Sequence, residues 1–277
     1  MSYRFAWLLV LLVYCLPGEA QVCGPSLACI QEGLSGLGSS APDLDSPRAE
    51  APRMSPDLAL SVYASRSERQ AGALASYTST TLVDADLPDA LQQGRFELRS
   101  EYVAPAILRF TPVRFTGDRF VKSNVINRFL NSEVQHVEKQ DRAATAINSR
   151  NYSFNFKRTE PSGGRWVHIY AVKPRRKVPG LFKGEIALDA MTGSLRRATG
   201  TMVKSPSFFI RKIEFEQEYA DVDDFTLPVR LHSTARARLI GRVVIDVLMR
   251  DYSLLAQAKD AVTGIEPEVR PIENQAY

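Results

Sequence analysis

Glu214, Glu216 and Glu218 share one face of a predicted strand. Carboxylates grouped this way can divide acid and base roles when their surroundings separate their pKa values. A turn at residues 221–224 sets Arg230 and His232 opposite that stripe, so the pattern reads as cross-strand ion pairing on a solvated face. Asp221, Asp223 and Asp224 fit the turn itself, because a calcium loop needs a glycine and a closing glutamate that this segment lacks. His136, His168 and His232 fall on separate predicted elements with no carboxylate or cysteine at ligand spacing, and each reads as a polar-face or interface residue. Gly24-Pro25-Ser26-Leu27-Ala28 approximates a nucleophile elbow but has no strand before it. The chain has no HExxH, phosphate-binding loop or dinucleotide fingerprint. We therefore assign no catalytic and no metal-binding residue, expect no cofactor, and read the chain as non-enzymatic, a hydrolase of unidentified type being the enzymatic alternative.

Around these residues the sequence is organised by strands. Tyr152, Phe154 and Phe156 alternate with polar neighbours, and residues 161–164 make a turn. Val167, Ile169 and Ala171 then oppose His168 and Tyr170, and Phe182, Gly184, Ile186 and Leu188 follow. After a turn at 189–193 the pattern resumes at Ile213 and Phe215, turns at 221–224, and ends with Leu227 to Ala237 and Val243 to Met249. Upstream, strands are expected at 76–83, around Phe96 to Tyr102, and at 107–115, where Pro112 suits an edge or bulge. Two helices interrupt the series. Asp57 is a plausible N-cap for one running toward Leu74 with Leu58 and Val62 on its apolar side. Val125, Ile126, Phe129, Leu130, Val134 and Val137 mark the other, opening after Gly117-Asp118. Consecutive hairpins imply an antiparallel meander. The fold class is α+β: a curved antiparallel sheet, or incomplete β-barrel, with helices covering its concave face.

Residues 1–20 have the layout of a secretory signal: Arg4, an apolar stretch from Phe5 to Leu16, then Gly18 and Ala20 before an expected cut. That stretch is well short of the roughly 20 residues a membrane-spanning helix needs. A lipoprotein-type signal ending at Cys15 is the alternative. The expected location is the periplasm or the exterior, with outer-membrane association as a further expectation. Cys23 and Cys29 either pair in that oxidising compartment or remain free thiols. Residues 21–56 read as a flexible linker rich in Gly, Ser and Pro, residues 57–253 as the folded domain and 254–277 as a tail. Residues 165–250 carry 16 Lys and Arg against 9 Asp and Glu, with clusters at Arg175-Arg176-Lys177, Arg196-Arg197, Arg211-Lys212 and Arg236 to Arg242. Export argues against nucleic acid, so the expected partner of these charges is an anionic lipid surface or an envelope protein. Asn151-Tyr152-Ser153 matches the glycosylation pattern, which matters only in a eukaryotic host.

Phe120-Val121-Lys122-Ser123-Asn124-Val125-Ile126, Val172-Lys173-Pro174, the run from Gly180 to Asp189, Lys212-Ile213-Glu214-Phe215 and Leu227-Pro228 together resemble the LolA-like superfamily, in particular bacterial outer-membrane lipoprotein-sorting proteins. The resemblance covers roughly residues 57–253. It implies an incomplete antiparallel barrel whose helices plug a cavity for acyl chains, with a lipid or lipoprotein as cargo. The pattern nominates six lipid-binding residues: Phe154, Ile169, Phe182, Ile186 and Leu188 on the strands, facing Ile126 of the second helix, and Phe129 on that helix. The expected function is binding of an acyl chain in an apolar groove, in lipoprotein sorting or envelope maintenance. An interaction or sensor module with a packed core and a basic partner-binding face is the alternative.

Overall fold

Alternating apolar residues and tight turns from Leu74 onward build one ten-stranded sheet. The structure is a computed structural model and describes residues 54–139, 142–205, 210–238 and 240–256. The expected signal, the Cys23 and Cys29 pair and the tail beyond Ala256 lie outside the described residues.

Helix α1 (Pro56–Ala73) leads into ten antiparallel strands: β1 (Leu74–Leu87), β2 (Gln92–Val103), β3 (Ile107–Gly117), β4 (Tyr152–Ser162), β5 (Arg165–Pro174), β6 (Phe182–Asp189), β7 (Leu195–Met202), β8 (Ile210–Val222), β9 (Phe225–Ala237) and β10 (Gly241–Ala256). Their order across the open sheet is β3-β2-β1-β10-β9-β8-β7-β6-β5-β4. Sequential strands are neighbours everywhere except β3 and β4, which stand at the two edges, and β1 pairs with β10, joining the N-terminal hairpins to the C-terminal meander. Between β3 and β4 the chain forms α2 (Arg119–Val121), a π-helical turn (Lys122–Ile126), α3 (Asn127–Glu138) and the short α4 (Arg142–Thr145).

Both long helical stretches lie on the same face of the sheet. Val83, Val247, Leu231, Gln217, Ala198, Ile186 and Tyr170 are successive cross-strand partners from β1 to β5 on that face. Two apolar clusters cover it. Val121, Val125, Ile126, Phe129 and Leu130 pack with Val83, Phe96, Leu98, Ile213 and Ile245 in one. Tyr63 of α1 packs with Tyr152, Tyr170, Phe182, Ile186 and Leu188 in the other.

The face without helices is charged. Asp84 and Asp246 stand directly opposite each other across β1 and β10. Arg95 bonds Asp84 at 2.6 Å and His232 Nδ1 lies 2.9 Å from Asp246, so each carboxylate of this like-charged pair has a basic neighbour. The expected glutamate stripe is on this face as well, with Glu216 opposite His232 and Glu218 opposite Arg230.

Several expectations are corrected. The N-cap of α1 is Ser55, whose side chain accepts from Leu58 N, with Pro56 in the first turn, where its missing N–H costs nothing. Ala59 and Tyr63 are the buried positions of that helix, and Leu58 faces solvent. Met54 N donates to Ala190 O, so the folded unit includes residues ahead of 57, and β10 extends to Ala256. Strand β7 fills a stretch in which no strand was expected. On β5, His168 and Tyr170 face the helices, whereas Ile169 pairs with Ala187 on the opposite face and packs with Val167 in a small separate cluster. One reason the pattern misled is that every residue from Val167 to Tyr170 is buried, so hydrophobic alternation cannot distinguish the faces.

Candidate functional site

The two helices are seated differently. α2, the π turn and α3 bury six apolar side chains, Val121, Val125, Ile126, Phe129, Leu130 and Val137. α1 is held mainly by polar contacts at both ends. At its start, His168 Nε2 lies 3.1 Å from Met54 O and the Tyr170 hydroxyl donates to Pro56 O at 2.5 Å. A carbonyl only accepts, so Nε2 of His168 donates to Met54 O, while Nδ1 lies 2.8 Å from the Thr159 hydroxyl. His168 is therefore a buried structural residue that positions α1 and not a polar-face residue. Midway, Tyr63 donates to Ile147 O at 2.8 Å. Toward its end, Arg66 bonds Asp221 at 3.2 Å, Gln70 Nε2 donates to Asp224 O, and Gln70 Oε1 accepts from Thr226 N at 3.4 Å. Gly193 lets the β6–β7 turn approach Val62 closely, since its φ of +68° and the space available both exclude a Cβ.

Beneath this clasped helix is a cavity of about 360 Å³. Its floor is Phe182, Leu195, Ala198, Met202 and Phe215, with Ile147 at the side, and its roof is Tyr63, Arg66, Ser67 and Gln70. The volume is within the range of small-molecule sites, which are mostly apolar with a few placed polar groups. Three tyrosines belong to this region. Burial raises the phenols of Tyr63 and Tyr219, and lifts that of Tyr152 to about 12, so all stay neutral donors at physiological pH. Tyr152 Oη accepts from Phe182 N at 3.3 Å.

An ion-pair network closes the polar end. Asp221 joins Arg66 to Arg196, which lies at 2.7 Å, and accepts from the Thr226 hydroxyl at 2.8 Å. Arg196 also reaches Asp189 at 3.2 Å, and Arg165 does so at 3.3 Å. Burial pushes the Asp189 carboxyl up, but hydrogen bonds from Met191 N and Thr192 N, together with Arg196 and Arg165, outweigh it and hold the group below the usual carboxylate range. Arg66 Nε is buried with no hydrogen-bond partner among the described residues.

No histidine and no cysteine lines the cavity. Among the described residues there is no group of three or more His, Cys, Asp or Glu side chains placed to hold a metal ion.

Of the six nominated residues, Phe182 lines the cavity. Ile186 and Leu188 are buried in the same cluster behind the floor, and Phe154 packs against that cluster from β4. Ile169 is on the other face and Phe129 belongs to the other cluster. Tyr63, Arg66, Gln70 and the β7–β8 residues Leu195, Ala198 and Phe215 were not read from sequence. The spacing of Tyr63, Arg66 and Gln70 is that of one helix face, which is the signal that could have found them. Asn151 is 2% exposed and donates to Ala143 O and Ala146 O, which makes it a loop staple with no room for a glycan.

No family model matches the chain, and no curated protein does. Among solved structures the chain is similar to a LolA superfamily protein from Nitrosomonas europaea, at 11% identity and a TM-score of 0.37 over 71% of this chain and 93% of that one. A putative outer membrane lipoprotein-sorting protein domain from Vibrio parahaemolyticus matches at 12% identity and TM-score 0.37, over 76% and 95% of the two chains. A DUF1329 family protein from Desulfovibrio piger matches at 8% and 0.34, over 72% and 92%.

Proposed function

We propose that this chain is a non-enzymatic envelope protein that binds a lipid or lipoprotein acyl chain in the cavity between α1 and strands β6 to β8. In this reading the helices cover the inner side of a curved sheet, and the protein works in lipoprotein sorting or envelope maintenance. One observation carries the reading. An apolar floor lies under a helix whose anchors are mostly polar, so the roof can lift without exposing a large apolar core. Hydrogen bonds and partly exposed ion pairs exchange readily with water and contribute little net stability each, whereas opening a packed apolar interface costs far more. α1 is thus the lid. The helical stretch 119–138, with six buried apolar side chains, is part of the fixed wall.

The test is mass spectrometry of lipid extracted from protein purified from the envelope of an exporting host. A stoichiometric acyl-containing species that disappears when Ala198 is replaced by Phe supports the proposal. Protein with no bound lipid, or with lipid that the substitution leaves in place, rejects it.

A further inference from the structure

The basic clusters do not all have the same fate. Arg175 donates to Ser149 O and Tyr152 O, Arg176 bonds Asn151 Oδ1, and Arg196 lies in the Asp189–Asp221 network. These three are held in internal contacts. Arg211-Lys212 and the group from Arg236 to Arg242 are instead brought together by the sheet register. Arg242 is opposite Arg236, and Arg236 is opposite Lys212, so three cations occupy one row across β10, β9 and β8 on the face without helices. Like charges directly opposite one another destabilise a sheet. Lys212 is relieved by Glu214 at 2.7 Å, whereas Arg211, Arg236 and Arg242 make no ion pair among the described residues. Asp89, beside this row, uses its carboxylate to accept from Arg242 N at 2.9 Å.

Two exposed apolar side chains project at the same end. The 3₁₀ turn that holds Asp89 (Pro88–Ala90) leads into Leu91, which is 93% exposed and takes the left-handed conformation, φ 52°, uncommon for a non-glycine residue. Asp118 N donates to Gln93 O, and Asp118 Oδ2 accepts from Gln93 N, which sets the exposed Arg119 and Phe120 next to the start of β2. Phe120 is 39% exposed.

We propose that this end of the sheet docks on an anionic lipid surface, with Lys212, Arg236 and Arg242 against phosphate headgroups and Leu91 and Phe120 inserted at the acyl boundary. An acidic protein would satisfy the cations, but a bilayer interface takes both the charges and the isolated apolar tips. The proposal stands on the register and the exposed tips, and is independent of the cavity reading.

The experiment is sedimentation of the chain, purified from the periplasm of an exporting host, with phosphatidylglycerol vesicles and with phosphatidylcholine vesicles. Binding to the anionic vesicles alone is expected. Each cation neutralised among Lys212→Gln, Arg236→Gln and Arg242→Gln should lower the partition coefficient about fivefold. Leu91→Ser should weaken binding at constant charge, and raised salt should release the protein. Circular dichroism of each variant checks that the fold stands, which these exposed sites predict. Equal binding to both vesicle types, no binding to either, or anionic binding that survives the triple substitution overturns the proposal. So does charge-dependent binding that Leu91→Ser and Phe120→Ser leave unchanged and that soluble heparin reproduces, since that pattern identifies a polyanion or acidic protein as the partner.

Discussion

Phe182 of β6 and Phe215 of β8 meet edge to face across the intervening β7, with ring centroids 5.0 Å apart and planes at 87°. The contact is open to them because Gly200 of β7 lies opposite Phe215, and a Cβ there would reach the Phe182 ring. Gly184 of β6 stands opposite Gly200, where a Cβ would meet the β7 backbone.

Gly184→Ala is expected to destabilise the fold by about 1–3 kcal/mol, because the added methyl meets Thr199 O and the Gly200 backbone, which cannot turn aside as a flexible side chain would. Chemical denaturation measures it. A stability equal to wild type would show that the two strands can separate there, contrary to the packing described.

Ala198 is 1% exposed on the floor, and its side chain borders the cavity. Ala198→Phe should fill part of that space, abolish binding of an apolar dye, and cost less stability than the same change in a close-packed core. A dye titration run beside a thermal melt checks both halves of the expectation.

Phe129→Ser should behave in the opposite way. Phe129 is buried among the residues of α2–α3, β1 and β2, so losing its ring and burying a hydroxyl should cost on the order of 3 kcal/mol or more. At a temperature where the variant is folded, its dye affinity should match wild type. Weakened binding with unchanged stability would instead make this helix the mobile one.

Arg66→Ala and Asp221→Ala should loosen α1 without unfolding the sheet. Each pair they belong to is partly exposed and worth at most about 1 kcal/mol. Hydrogen exchange should speed up across 56–73 and stay slow in β8 to β10. Uniform acceleration through the whole chain would mean that α1 is part of the cooperative core.

Glu133 is half-buried on α3, four residues after Phe129, and the burial of its carboxyl raises it from 4.5 to about 7. The folded state therefore holds this proton more tightly than the unfolded chain does. The cost of ionising it is absent below about pH 4.5 and complete once pH has risen past about 7. Glu133→Gln should raise the denaturation midpoint at pH 8 and change it little at pH 4.5. Parallel pH profiles for the two proteins would contradict this.

Much of the sheet could be read in the sequence because hairpin turns and alternation are local signals. The turn at 221–224 placed Arg230 and His232 opposite the glutamate stripe, and the register agrees residue by residue. The site was harder to read. Ile169 was assigned to the wrong face because β5 is buried on both sides, and β7 was missed because Arg196, Arg197, Thr199 and Thr201 dilute its apolar pattern. The role of α1 rests on Arg66–Asp221 and His168–Met54, contacts between residues more than a hundred positions apart that no local spacing can show.

The central claim is that the space beneath α1 is a binding site. The most direct measurement is a fluorescence titration with 11-dansylaminoundecanoic acid on wild type and on Ala198→Phe. The account predicts saturable one-to-one binding to wild type that is lost in the variant while its fold persists. The absence of saturable binding, or equal binding by both folded proteins, would contradict it.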